Sequence, residues 1–280
     1  MTTTLRPEGP ELSAAGGGRA RRYGIRVNGR RIGGLSLLAG EAAGERVGRI
    51  EDLAVEAAER RRGRATVALL AAEEVLRAWG CRRAEARVPA DAPGAHALAV
   101  ALGYRERGRL MLKRLTAPPP APPEGGEVRP MSEAEYGGWL AAELDGYRAS
   151  LVEAGIAAAG AARHARESIT RHLPEGLATE GAVLRVLRHE GSRVGTLWVS
   201  TVPGLARPGV DAFVFAVRVD APHRGRGHGR TLMRVAEAEC LAAGGGVLGL
   251  NVFAWNATAL GLYESLGYTA AEYLCYKPLA

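Results

Sequence analysis

One block of this chain recurs downstream of itself at a constant offset of 164 residues: Arg60, Arg62, Gly63, Leu102, Gly103 and Tyr104 return as Arg224, Arg226, Gly227, Leu266, Gly267 and Tyr268. Aligned without a gap, Val55 to Leu115 and Val219 to Leu279 are identical at 19 of 61 positions. The matches fall on glycines, arginines and apolar residues at the expected ends of elements. So long a period implies two copies of one domain, because the repeats of a solenoid run to about 20 to 50 residues. A chain of 280 residues with 47% hydrophobic content can bury two separate cores.

Charge and cysteine usage exclude several classes. The net charge of +7 is almost wholly arginine, since Lys113 and Lys277 are the only lysines. These arginines are scattered and form no basic tract interleaved with aromatics, so no nucleic-acid partner is expected. Cys81, Cys240 and Cys275 are odd in number and lack CxxC spacing, which argues against a disulfide framework and against a metal site. Residues 1–22 have no apolar run of the signal-peptide kind, and no stretch is apolar enough to span a bilayer. A soluble cytoplasmic protein without membrane contact is expected.

The chain divides at Thr116 to Gly126, a proline run followed by glycines that reads as a linker. Residues 1–20 are expected to be a flexible tail, 21–115 the first domain and 127–280 the second. In the first, Asn28-Gly29 between two apolar runs predicts a hairpin with a type I′ turn, whose central residues both need positive φ. A strand near 49–55, a helix over 63–79, a strand over 81–88 and a helix over 93–102 follow. In the second, Ser132 with Glu135 makes a capping box ahead of Tyr136, Trp139, Leu140 and Leu144 at helical spacing. A second helix over 157–172 and strands over 182–188, 193–200 and 212–219 come next. The first copy is expected to lack the strand and two helices at the front of the second.

The strand ending at Val219 runs into Asp220-Ala-Pro-His-Arg-Gly-Arg-Gly-His-Gly-Arg230, and Leu232, Met233, Val235, Ala236 and Leu241 then recur at helical spacing. A glycine-rich loop that opens a helix leaves successive N–H groups unpaired and puts the positive end of the helix dipole beside them, which suits a phosphate. Arg224, Arg226 and Arg230 add permanent charge for a diphosphate. No Lys follows a glycine here as in a Walker loop, and Gly225-x-Gly227-x-Gly229 is not the dinucleotide fingerprint. The third segment is Asn256-Ala-Thr-Ala-Leu-Gly-Leu-Tyr-Glu-Ser-Leu-Gly-Tyr268. On a helix Asn256 and Tyr263 lie two turns apart and within about 20° of each other, with small Ala259 between them. Capping accounts for Asn256 equally well, and core packing is the plain account of Tyr263.

Arg224-x-x-Gly227-x-Gly229 resembles the R-x-x-G-x-G/A signature of the GNAT superfamily of acetyl-CoA-dependent N-acetyltransferases, and Arg60-x-x-Gly63-x-Ala65 repeats it in the first copy. Asn256, Ala259, Leu262, Tyr263, Gly267 and Tyr268 resemble the family's N-x-x-A-x-x-L-Y-x-x-x-G-F/Y. The resemblance implies a mixed α/β (α+β) fold: two GNAT-like domains, each a mixed, partly splayed sheet flanked by helices. It implies acetyl-CoA as co-substrate, pantetheine against the backbone of Val217 to Val219, and the diphosphate on Arg224, Gly225, Arg226, Gly227, His228, Gly229 and Arg230. Asn256 would join the coenzyme site, and Tyr263 would protonate the departing thiolate. An amine, on a small molecule or a peptide, would be the acceptor.

Two departures matter. Asn256 and Tyr263 correspond to Ala92 and Ala99, so the first copy is expected to be a degenerate, inert relative that serves as an interface or keeps a vestigial coenzyme site. Arg218 occupies the strand position where the family often has an acid, so Asp211, Glu143, Asp145 or a water chain would have to serve as base. Arg218 alternatively points to an anionic acceptor, or to a non-catalytic, regulatory acyl-CoA-binding protein. His223 and His228 flank the loop as solvent-facing or phosphate-adjacent groups. Tyr136, Trp139 and Trp198 either line the acceptor groove or pack the core. A homodimer is left open.

Overall fold

In the computed structural model, which describes residues 2–14, 17–116, 118–119 and 125–279, the chain forms two compact units. The first comprises Met1–Arg107 with Glu272–Ala280, and the second Gly108–Ala271. Most of the linker segment lies outside the described residues.

The first unit is built from strands β1 (Thr3–Ala14), β2 (Gly18–Val27), β3 (Arg30–Ala42), β4 (Glu45–Val55) and β5 (Arg83–Pro89) and helices α1 (Arg64–Ala78) and α2 (Pro93–Ala101). Asn28 and Gly29 adopt φ of 49° and 85° between β2 and β3, the predicted type I′ hairpin. Leu69, Ala72 and Leu76 recur at helical spacing and bury α1 against Ile25, Leu35, Leu37 and Ile50 of the sheet. Where a tail was expected over residues 1–20, β1 pairs antiparallel with β2 from Thr3↔Val27 to Ala14↔Gly18. Its prolines and charges disguise it as coil, but an edge strand tolerates both. The first copy therefore has its front strand and lacks only the two helices.

The second unit contains β7 (Gly126–Pro130), α3 (Glu133–Glu153), α4 (Ala158–His172), β8 (Ala182–His189), β9 (Ser192–Ser200), β10 (Ala212–Val219), α5 (His228–Ala242), β11 (Val247–Phe253) and α6 (Ala257–Ser265). Glu135 Oε2 accepts from Ser132 N at 3.0 Å and from Ser132 Oγ at 2.7 Å, as the capping-box spacing predicted. Two layers cover the sheet. Leu232, Met233, Ala236 and Cys240 of α5 pack on Leu197, Val199 and Leu250, and Trp139 of α3 and Ile169 of α4 pack with Val186 and Trp198.

The final strands are exchanged between repeats. β6 (Arg105–Arg114), last in the first repeat, pairs antiparallel with β11 from Val247↔Arg114 to Phe253↔Gly108. β12 (Thr269–Pro278), last in the second, pairs with β5 from Glu272↔Pro89 to Pro278↔Arg83. The sheet order is thus β1-β2-β3-β4-β5-β12 in one unit and β7-β8-β9-β10-β11-β6 in the other. These units do not coincide with the sequence halves 21–115 and 127–280.

Candidate functional site

β10 and β11 run parallel and pair only at Ala212↔Leu248, Phe213↔Gly249 and Val214↔Leu250. β10 then bulges between Val214 and Ala216 and stays on β9 through Val219↔Gly195, while β11 stays on β6. A bulge re-aims the strand it interrupts. The two strands consequently part, and Phe215 to Val219 turn an unpaired backbone edge toward the gap. The bulge also changes which residues face which layer: Val217 and Val219 border the α5 core, whereas Ala216 joins the α3 and α4 layer.

Beyond Val219 the chain makes one 3₁₀ turn over Ala221–His223, and Arg224 Nε then donates to Val219 O at 3.2 Å. Gly225 (φ 75°) and Gly227 (φ 86°) take left-handed conformations that a side chain would strain, and Gly227 caps α5. The first helical bond is Thr231 N to Gly227 O, 3.2 Å. The backbone N–H groups of Gly225 to Arg230 meet no acceptor among the described residues, so they form a cradle at the positive end of α5. In the first unit Arg60 Nε donates to Val55 O at 2.8 Å, and Gly63 (φ 73°) caps α1.

The loop side chains divide in role. Arg226 is exposed beside the cradle, whereas Arg224 is half-committed to holding the loop on the strand. Arg230 Nη2 donates to Ser265 Oγ at 2.7 Å and ties α5 to α6. His228 is buried, its ring 5.2 Å from that of His189 and 6.4 Å from that of His223. Burial first, then the neighbouring histidines and Arg226, lower its pKa, which disfavours a positive charge on this ring beside the cradle.

On α6, Asn256 Oδ1 accepts from Ala259 N at 3.1 Å, so this exposed side chain is the helix cap. Tyr263 borders the same apolar cluster as Val217, Val219 and Leu262. Its ring lies 6.0 Å from that of Tyr268, and burial pushes its phenol up to about 12. The hydroxyl therefore keeps its proton at neutral pH, and it has no hydrogen-bond partner among the described residues.

Of the three carboxylates considered as base, Asp211 Oδ2 accepts from Gly246 N (2.8 Å) and Val247 N (2.9 Å) where β10 and β11 are still paired, and these bonds lower its pKa. Asp145 is exposed and lies 3.7 Å from Arg148. Glu143 differs. Arg218, on the unpaired part of β10, donates from Nη2 to Ala142 O at 2.7 Å and to Glu143 Oε2 at 3.4 Å. Burial raises the Glu143 pKa, and Arg218 partly offsets it. The acid absent from the strand is thus presented from α3, at the position where the strand carries Arg218. Gly146 makes this approach feasible, because a Cβ there would come within 2.5 Å of Arg218 Nη2.

Tyr136, Trp139, Trp198, Phe215 and His172 form a chain of rings behind this face, with centroids 5.7, 5.9, 4.6 and 4.4 Å apart in sequence. Trp139 and Trp198 are buried, as core packing requires. Among the described residues no cluster of His, Cys, Asp or Glu could hold a metal, and no helix is long and apolar enough to cross a membrane.

The sequence matches the family model described as Acetyltransferase (GNAT) family over residues 5–104 and again over 132–268. It is 30% identical over 154 residues to the uncharacterized N-acetyltransferase YycN of Bacillus subtilis (strain 168), covering 54% of this chain and 97% of that protein. Similar solved structures include a GCN5-related N-acetyltransferase from Sphaerobacter thermophilus (TM-score 0.58, 20% identity, 92% of this chain and 80% of that one). They also include a tandem GNAT protein from the clavulanic acid biosynthesis pathway (TM-score 0.51, 18% identity, 100% of this chain and 99% of that one). At these identities the structural likeness establishes the fold.

Proposed function

Because the chain belongs to the GNAT family of acetyltransferases, we propose that its second unit transfers an acetyl group from acetyl-CoA to an amine acceptor, on a small molecule or a peptide, by direct attack. The observation that carries this reading is the parting of β10 from β11 beyond Val214 and Leu250, next to a loop whose amide hydrogens are unpaired. Acetyl-CoA supplies a thioester carbonyl open to attack and a thiol as leaving group. The free edge of Phe215 to Val219 offers backbone donors and acceptors to an amide-bearing arm, as an added strand would find them. Amide hydrogens of Gly225 to Arg230, with Arg226, hold the diphosphate.

Glu143, its pKa raised by burial, takes the proton released as the amine nitrogen forms its new bond to carbon. Tyr263, whose phenol stays protonated, gives a proton to the sulfur as the carbon–sulfur bond breaks. The regulatory reading rested on Arg218 standing where an acid is often found. A carboxylate paired with that arginine from α3 favours catalysis instead. The three cysteines are free and buried, which fits a cytoplasmic location.

Calorimetric titration of the full chain with acetyl-CoA, followed by thiol release with a panel of amines, tests the proposal. Binding with turnover supports it. Binding without turnover on any amine returns the regulatory reading, and absence of binding overturns both.

A further inference from the structure

Three of the four tryptophans are buried, at 3 to 7% exposure, whereas Trp255 is 37% exposed. It stands just beyond the end of β11 and lies on Phe253, with ring centroids 4.5 Å apart and planes 22° apart. Such a stack leaves the outer face of the indole open to a further ring. The fold itself does not call for this pair. At the offset of 164 residues Asn251, Phe253 and Trp255 correspond to Arg87, Pro89 and Asp91, and the first repeat builds the equivalent strand and helix without them. Neither ring is part of the clusters built around Leu250 and Trp198.

Strand alternation places the pair. Leu248, Leu250 and Val252 of β11 belong to the α5 core, so Gly249, Asn251 and Phe253 face the opposite side. A Cβ at Gly249 would indeed come within 3.1 Å of Phe213 there. Ala216 and Arg218 of β10 turn to that same side, toward α3. Asn251 and Phe253 therefore border the gap across from Arg218 and Glu143. Half-buried Phe215 lies 5.2 Å from Phe213 and 4.6 Å from Trp198 between ring centroids, so both strands present aromatic surface to this side. Arg218, the charged side chain that β10 sends here past its bulge, is engaged by Ala142 O and Glu143. From β11 come only uncharged groups, and Asn251 is exposed without a hydrogen-bond partner among the described residues.

Resting on the reading that the second unit acetylates an amine, we propose that Trp255, backed by Phe253, selects an acceptor whose amine is borne on a short chain from an aromatic ring, an arylalkylamine. A flat ring can cover the open indole face, and a saturated one of the same carbon number buries area there without stacking. The amide of Asn251 offers both a donor and an acceptor to polar groups on the acceptor. A carboxylate or a second ammonium on the acceptor would meet no counter-charge from Asn251, Phe253 or Trp255.

Acetyl transfer by the full chain to 2-phenylethylamine and to 2-cyclohexylethylamine tests this, since the two amines differ only in the flatness of the ring. The wild-type protein should favour the phenyl compound in kcat/KM by about two- to tenfold, the range of an aromatic pair, with the difference in KM. In Trp255→Leu the ratio should fall to about one, through a higher KM for the phenyl compound, while affinity for acetyl-CoA is unchanged. Trp255→Phe should retain the preference. Adding 2-phenylethylamine should alter the tryptophan fluorescence of the wild-type protein and not that of Trp255→Phe, which decides the matter if Trp255→Leu does not fold. A wild-type ratio of one or below overturns the assignment, as does turnover confined to amines without an aromatic ring. An equal loss for both amines in Trp255→Leu, or a fluorescence change shared by both proteins, overturns it as well. If no amine is acetylated at all, the transferase reading fails and takes this one with it.

Discussion

Lys113 Nζ lies 2.6 Å from Glu237 Oε1, joining the last strand of the first repeat to the helix that follows the anion loop of the second. At the same offset of 164 residues Lys277 Nζ lies 2.7 Å from Glu73 Oε2. The ammonium groups also stand over Tyr268 and Tyr104, at 5.6 and 5.7 Å from the ring centroids. The only two lysines of the chain thus act alike, each fastening an exchanged strand to a buried glutamate of the other repeat.

Removing one partner should therefore cost more than removing both. Lys113→Ala leaves the carboxylate of Glu237 buried and uncompensated, and about 2–3 kcal/mol of stability should be lost. The pair Lys113→Met with Glu237→Leu should recover most of it. Urea denaturation of the full chain measures both, and a loss below about 0.5 kcal/mol for Lys113→Ala would mean that the pair does not fasten the strand.

Strand exchange also predicts how the chain can be cut. A fragment over residues 105–271 keeps β6 on β11 and should unfold cooperatively. A fragment over 127–280 bares the edge of β11 and carries β12 without its partner β5, so it should aggregate or melt without cooperativity. Light scattering and thermal melts of the two fragments separate these outcomes.

Tyr263→Phe should lower kcat by about 10²-fold, the lower range of general acid catalysis, and leave the affinity for acetyl-CoA nearly unchanged. Since the phenol is pushed up to about 12, the proposed proton donor stays protonated through the alkaline range in which most assays are run. An unchanged kcat in the variant would hand proton donation to water.

With Glu143 as the proposed base, the acid limb of the pH profile should follow its titration. Its pKa is raised by burial, so as the pH is lowered activity should already be lost above the pH at which an ordinary carboxylate would titrate. Arg218→Ala removes the charge that opposes this rise, and the limb should move to still higher pH. Linkage runs the other way for stability: a raised pKa favours the folded state below the unfolded carboxylate value, and that contribution is lost as the pH passes the raised one. Glu143→Gln should consequently be inactive yet more stable than wild type at neutral pH. An acid limb that ignores both substitutions would remove Glu143 from the mechanism.

Gly146→Ala tests the same constellation without touching a charge. An added methyl meets Arg218 Nη2 and should displace the guanidinium from α3, reproducing the pH shift of Arg218→Ala. Helix propensity alone would stabilise the variant by about 1 kcal/mol, so a rise in melting temperature together with a lowered kcat is expected. Unaltered kinetics would show that the arginine adjusts freely.

Features set by near neighbours were legible in the chain alone. The Asn28-Gly29 hairpin, the Ser132 and Glu135 box and the loop ending at Gly227 each depend on residues within a few positions of one another, and their dihedral and capping rules act over that range. The offset of 164 exposed the duplication because each copy repeats the same local pattern. Tertiary structure decided what lies across long separations. Lys113 and Lys277 occupy equivalent places in near-equivalent strands, so local pattern is the same whether each strand stays at home or crosses over. Only the pairing of β6 with β11 and β12 with β5 reveals the exchange. Edge strand β1 was hidden because its partner, not its composition, makes it a strand. The chain alone offered Glu143 beside Asp211 and Asp145 as candidate bases, and only folding set it apart, by burying it against Arg218, 75 residues away, since a pKa is a property of surroundings that the chain acquires on folding.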